Sequence, residues 1–195
     1  MEENKISLLG RVADPPVPSH QSHGKTFFTF PLSVPRLSGV EDKLNLLAHA
    51  HHAAGLISGD LIRVTGDIRS FNNHSGVGSR LVITVFVHTL VQAQGSPEND
   101  LSLHGILCRP PNYRRTPLGR EICDLMLAVP RKYGRTDYLP CIAWGAAANR
   151  AACLSVGCPI ALTGRLQSRT YMKNTPEGAV EKVAFEVSVT QLEAL

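Results

Sequence analysis

The chain is 195 residues long, with 43% hydrophobic and 18% charged side chains, a balance that supports a folded core and excludes disorder as the dominant state. Thirteen prolines and sixteen glycines exclude long helices and coiled coils, and no apolar run reaches the ~18–20 residues of a membrane span. The formal net charge of +4 admits an anionic partner without requiring one.

In chain order, Met1-Glu2-Glu3-Asn4-Lys5 lacks the basic and apolar regions of a secretory signal. Ile6 and Leu8 alternate and open a strand that stops at Pro15-Pro16. A second strand is expected over residues 28–34 and a third over 44–48. The small side chains of 50–57 favour a short helix. A long strand then runs through Thr65-Gly66, where the glycine admits the bend of a small barrel. The Asn-, Ser- and Gly-rich stretch 72–79 is expected to be a mobile loop, since it lacks the Gly-Lys-Ser/Thr ending of a phosphate-binding loop. A last strand covers 82–90.

The series then starts again. Ile6-Ser7-Leu8-Leu9-Gly10 returns as Leu101-Ser102-Leu103-His104-Gly105, Pro15-Pro16 as Pro110-Pro111, and Leu32-Ser33-Val34-Pro35-Arg36 as Leu127-Ala128-Val129-Pro130-Arg131. Val64-Thr65-Gly66 is answered by Leu162-Thr163-Gly164, and Leu81, Ile83, Val85 and Val87 by Val183, Phe185, Val187 and Val189. The spacing widens twice, which puts the extra residues of the second copy in its helix and in the loop before its last strand. Two domains follow, 1–94 and 99–195, joined at Gln94-Gly95-Ser96-Pro97-Glu98. Strand-strand-strand-helix-strand-strand is the order of an OB-fold, so the expected class is all-β with short helices: two tandem five-stranded Greek-key barrels of a type that commonly binds oligonucleotides.

Cys108, Cys123, Cys141, Cys153 and Cys158 form an odd set without a CxxC pair and read as buried free thiols of a reducing, cytoplasmic compartment. His49-Ala50-His51-His52 could put two imidazoles on one helical face, but no Cys or paired carboxylate completes a ligand set. No metal, cofactor or catalytic residue is therefore expected.

The second copy carries three motifs in order. They are Leu127-Ala128-Val129-Pro130-Arg131-Lys132-Tyr133, Tyr138-Leu139-Pro140-Cys141-Ile142-Ala143-Trp144-Gly145, and Gly164-Arg165-Leu166-Gln167-Ser168-Arg169-Thr170-Tyr171. This copy resembles the bacterial single-stranded DNA-binding protein family, whose pattern is a strand ending in an aromatic, then aromatic-x5-aromatic-Gly, then G-x-L-x-x-R-x-aromatic. The resemblance implies an OB-fold, no catalysis, a nucleoid-associated role in replication, recombination or repair, and stacking aromatics at Tyr133, Tyr138, Trp144 and Tyr171. Family members with two OB-folds per chain commonly form dimers, so a homodimer is expected. The stretch Leu81-Val82-Ile83-Thr84-Val85-Phe86-Val87, apolar on both alternating faces, offers a surface for it. The chain stops at Gln191-Leu192-Glu193-Ala194-Leu195, without the linker and acidic tip that recruit replication enzymes in the family, so tail-mediated recruitment is not expected.

The residue chemistry points the same way. A single strand offers phosphates to basic side chains and open base faces to aromatics, at roughly 1–3 kcal/mol per stacked base. Arg131, Lys132 and Arg135 flank Tyr133, and Arg165 and Arg169 precede Tyr171. Arg114, Arg115 and Arg120 lie in the expected loop between the first two strands, one rim of an OB groove. The competing interpretation is that the tyrosines fill a barrel and the arginines form a solvated face. In the first copy the four aromatic positions correspond to Ser38, Lys43, His49 and Asn73, and twelve of the twenty Lys/Arg fall in residues 96–195. The second barrel is thus expected to bind, with the first as an assembly scaffold. The runner-up is a protein-interaction or primosome-accessory OB module with weak or indirect DNA contact. A metal-dependent hydrolase is the third class.

Overall fold

The computed structural model describes residues 4–75 and 79–195. Met1, Glu2 and Glu3, and the Gly76-Val77-Gly78 part of the expected mobile loop, lie outside the described residues.

The first repeat forms β1 (Asn4–Val12), β2 (Val17–Ser22), β3 (Lys25–Pro35), β4 (Glu41–His49), α1 (Ala50–Ala53), β5 (Leu61–Asn72) and β6 (Leu81–Gln92). The second forms β7 (Glu98–Leu107), β8 (Asn112–Arg115), β9 (Glu121–Arg131), a 3-10 turn (Lys132–Gly134), β10 (Arg135–Trp144), α2 (Ala146–Ala152), β11 (Pro159–Thr175) and β12 (Gly178–Ala194). In the first barrel β1 pairs antiparallel with β3 and β5, β3 with β4, and β4 runs parallel to β6, which borders β5. The ring is closed. The second barrel closes identically through β7–β9, β9–β10, parallel β10–β12, β12–β11 and β11–β7. Each ring has five strands in Greek-key order, which is the OB-fold.

The core explains the repeat. Leu8, Leu32, Leu44, Ile62, Val64, Ile68 and Val85 are buried, and so are their counterparts Leu103, Leu127, Leu139, Ile160, Leu162, Leu166 and Val187. Inward positions tolerate only side chains that fill the same space, so the duplicated sequence stays legible there. Gly66 and Gly164 answer to a different constraint. A Cβ on either would overlap the backbone carbonyl oxygen of Phe86 or Ser188, respectively. Glycine is needed there for close approach of two chains, and the register between β11 and β12 shifts at Thr163/Gly164.

Three details differ from the sequence-based expectation. The loop between the first two strands of each repeat contains a strand, β2 or β8, which pairs with β3 or β9. The double proline interrupts hydrogen bonding, and extended pairing resumes beyond it before a turn closes at Gly24 (φ 71°) or Gly119 (φ 78°). Arg114 and Arg115 therefore sit on a strand. The helices are shorter than expected, four residues in α1 against seven in α2. In the second repeat the hairpin before the last strand is ordered strand, with seventeen residues in each arm. All five cysteines are free, but only Cys123 and Cys141 are buried; Cys153 is exposed and Cys108 and Cys158 are partly so. Burial pushes the Cys141 thiol far above its ordinary pKa, which makes it inert.

The chain divides into two compact units, Asn4–Arg69 with Ile83–Leu101, and Ser70–Val82 with Ser102–Leu195. The end of β5 and the start of β6 thus group with the second barrel. Among the described residues no helix is long and apolar enough to cross a membrane, and no cluster of three or more His, Cys, Asp or Glu could hold a metal ion.

Candidate nucleic-acid interface

The antiparallel β9–β10 hairpin builds the centre of the site. Leu139, Cys141 and Ala143 point into the barrel, so the alternation of a strand turns Tyr138 and Trp144 outward, at 50% and 37% exposure. Trp144 lies opposite Ile122 on β9, which lies opposite Arg114 on β8. These three residues form one cross-strand row, in which Ile122 is buried and Arg114 and Trp144 reach solvent on either side of it.

Tyr133 occupies the tip of the same hairpin and is 98% exposed. Its backbone is left-handed, with φ 64° and ψ 34°, an arrangement unfavourable for a bulky residue. Tyr171 projects from the β11–β12 hairpin, opposite Lys182, and is 37% exposed. The guanidinium carbon of Arg169 stands 5.5 Å from its ring centroid. All four aromatics are surface residues, not barrel filling. Tyr113 on β8, as exposed as Trp144 and Tyr171, is a fifth aromatic, outside the three motifs because β8 itself reads as loop in the sequence.

The basic residues divide into two groups. Arg114 is held by Asp124 (2.7 Å), Arg115 by Glu121 (3.2 Å) and Arg169 by Glu186 (3.2 Å). Hydrogen bonds from Asn149 and Tyr113 keep the Glu121 carboxyl below the usual range, so it remains an anion opposite Arg115. Arg131 Nε lies 3.1 Å from Oδ2 of Asp137, a carboxylate with no solvent exposure, in ion-pair range but off the hydrogen-bond direction. Among the described residues Arg120, Lys132 and Arg135 form no ion pair and are exposed, and Arg165 makes only a long hydrogen bond to Gln167 (3.4 Å). These four carry charge that no acidic side chain neutralises.

Ser70, at the end of β5, anchors the hairpin. Its backbone N–H donates to Asp137 Oδ1 (2.7 Å), and its Oγ accepts from the Tyr138 N–H (2.8 Å). Nothing in the second copy's own sequence signals this brace. It is a long-range contact between residues 70 and 138.

The first barrel has its own outward row. Phe27 on β3 lies opposite His20 on β2 and opposite His49 on β4. The His20 ring stacks on Phe27 at 5.1 Å, and His49 meets it edge-on at 5.5 Å. Phe86 on β6 stands 6.0 Å from Phe27, with His88 5.8 Å beyond it and the Arg69 guanidinium 3.8 Å above its face. Of the residues expected to replace the stacking set, His49 is in this cluster. Phe27 and Phe86, partly exposed, were not anticipated.

Residues 98–195, half of the chain, match the family model described as "Single-strand binding protein family". A curated relative, "Single-stranded DNA-binding protein 1" of Lactococcus lactis subsp. lactis, is 34% identical over 80 residues, covering 37% of this chain and 53% of the relative. The chain thus spans about half the length of that relative. The crystal structure of the wild-type single-stranded DNA binding protein from Thermus aquaticus superposes with a TM-score of 0.81 at 23% identity, covering 98% of this chain and 92% of that one. A deletion mutant of the same Thermus protein gives 0.79 at 23% identity, with 98% and 94% covered. At that identity the likeness shows the fold.

Proposed function

The chain belongs to the single-strand binding protein family, and from that premise we propose that it binds single-stranded DNA without catalysis, in replication, recombination or repair. The observation that carries this reading is the outward set Tyr133, Tyr138, Trp144 and Tyr171 beside unneutralised basic side chains on the second barrel. Bases stack on such rings whatever their identity, and phosphates pair with the free cations. Arg120, Lys132, Arg135 and Arg165 are the phosphate contacts in this scheme. Arg131 works instead through Asp137, because removing it would take the guanidinium away from a buried carboxylate. Arg114, Arg115 and Arg169 reach phosphate only by giving up an acidic partner.

The same proposal takes 1–94 and 99–195 as the two OB-fold domains, the homodimer as the assembled form and the nucleoid as the place of action. At neutral pH the second domain binds and the first serves mainly as scaffold. Trp144, the single tryptophan, provides the test. Titration with oligothymidine should quench its fluorescence with a steep salt dependence, while duplex of equal length binds far more weakly. Equal affinity for duplex and single strand overturns the proposal. Light scattering that gives one chain mass across micromolar concentrations removes the dimer.

A further inference from the structure

We propose that the turn joining β9 to β10 trades stability for strand capture: Tyr133 is held in a left-handed backbone so that its ring stands clear of the barrel, ready to stack. The inference rests on the single-strand reading and adds to it a device that the sequence motifs do not contain. In that conformation a Cβ crowds the following carbonyl oxygen, and such outliers persist only where the surroundings impose them. Among the described residues only His23 and Tyr133 combine a side chain with a positive φ. His23 has an ordinary reason. With Gly24 it forms a two-residue hairpin loop between paired Ser22 and Lys25, where positive φ at both positions matches the twist of the strands. Tyr133 has none, since its loop holds three residues between paired Arg131 and Arg135. A three-residue loop needs the left-handed conformation only at its third residue, which here is Gly134.

The first barrel shows the relaxed solution at the same place. Its loop is Leu37-Ser38-Gly39, closed by the Arg36 N–H donating to the Val40 carbonyl (2.8 Å) and the Gly39 N–H to the Arg36 carbonyl (2.9 Å). Only Gly39 is left-handed, with φ 85°. Gly134 occupies the equivalent position with φ 68°, and Tyr133 is left-handed in addition. The ion pairs at the base of the two loops differ as well. Arg36 grips the buried Asp42 with two hydrogen bonds, 2.7 and 2.6 Å long. Arg131, its counterpart, makes no such fork: its Nε lies 3.1 Å from Oδ2 of Asp137 but off the hydrogen-bond direction, while Oδ1 accepts the Ser70 N–H. Ser70 thus takes one of the two carboxylate oxygens that the fork holds in the first barrel. Arg131, the residue that enters the loop, is displaced with it.

Neither loop length nor a missing glycine therefore forces the left-handed Tyr133. What the conformation yields is a ring 98% exposed, flanked by the exposed Lys132 and Arg135 and fixed at both ends by paired strands. A base that stacks on a ring already in place meets little ordering cost. Because that ring touches so little of the protein, its removal loses almost no packing, and strain can be separated from stacking.

The test uses the full-length chain, thermal unfolding, and titration of Trp144 fluorescence with an oligothymidine of about 40 nucleotides. Tyr133→Ala removes the ring and keeps the Cβ; Tyr133→Gly removes both. Each should weaken binding by roughly fivefold or more, whereas only Tyr133→Gly should raise the unfolding temperature, by about 2–4 °C. Glycine is ordinarily the less stable of the two, through the entropy of the unfolded chain, so the reversed order is the signature of strain. A glycine variant no more stable than the alanine variant overturns the inference. The second arm moves the ring by one residue and compares Lys132→Tyr/Tyr133→Gly with Lys132→Ala/Tyr133→Gly. Equally weakened binding in the two is the expected result, because the ring is then present but no longer at the left-handed position. A moved tyrosine that recovers affinity overturns the inference. Either failure leaves the single-strand reading intact, whereas a wild-type Trp144 that gives no response to oligothymidine overturns both.

Discussion

Two rows at equivalent places, Arg114–Ile122–Trp144 and His20–Phe27–His49, show how a duplicated barrel can diverge. Both cross three neighbouring strands, but the middle residue is buried in the second barrel (Ile122) and partly exposed in the first (Phe27). The second row presents a large indole and joins tyrosines that project from two hairpins. The first packs its rings against one another and adds titratable imidazoles. A barrel wall fixes where a platform can stand, but which strand of a pair supplies it is open, because directly opposite residues share one face. Position-by-position comparison of the copies therefore undercounts the first barrel: Phe27 sits one strand away from the place where an aromatic was sought.

The comparison breaks most easily at the tyrosines. Tyr133→Ala combined with Tyr171→Ala should weaken oligothymidine binding at pH 7.5 by roughly 2–6 kcal/mol, read by Trp144 titration. His49→Gln at that pH should cost far less. The reverse ranking in folded variants would place the neutral-pH site on the first barrel. Next in size is a test of the shared scaffold. Gly66→Ala and Gly164→Ala each force a Cβ against a backbone carbonyl, and each should destabilise by about 1–3 kcal/mol in chemical denaturation. Similar losses would show that the two crossings bear equally on the fold, whereas a loss at one alone would assign stability to that barrel.

An effect of similar size is expected at Ser70. Removing its hydroxyl in Ser70→Ala leaves the Tyr138 N–H without its acceptor, at a cost of about 1–3 kcal/mol. If the brace positions the stacking hairpin, oligothymidine affinity falls with an unchanged salt slope; normal affinity in the folded variant assigns Ser70 to stability alone. The smallest effects separate free from neutralised cations. Lys132→Ala or Arg135→Ala should each lower the salt slope by about 0.7. Arg114→Ala and Arg115→Ala, whose charges Asp124 and Glu121 already meet, should change it less. Equal slopes across the four variants would show that these ion pairs open on binding.

Much of the fold was legible because its determinants are local and repeated. Alternating apolar residues, the paired glycines and the double prolines recur in both copies, and they define strands, crossings and stops. The strands β2 and β8 escaped notice because a short, exposed segment has no buried face and hence no hydrophobic alternation: all four residues of β8 are exposed. In the site, the motif order identified outward aromatics on the second barrel, since strand parity alone separates Tyr138 and Trp144 from Leu139 and Cys141. It could not separate cations that already have acidic partners from those that do not. Arg131 and Lys132 are neighbours in sequence, yet one meets a fully buried carboxylate and the other meets solvent.

By itself, then, the sequence determined the duplication, the barrel class and the family of the second half, because core side chains and tight crossings leave a periodic trace that needs no partner strand to interpret. Tertiary structure alone decided the rest. Cross-strand register brought His20, Phe27 and His49 into one row, carried Ser70 to the Tyr138 backbone, and neutralised some arginines while sparing others. Such pairings join residues far apart in the chain, and their energies depend on distances of a few ångströms that no single strand encodes.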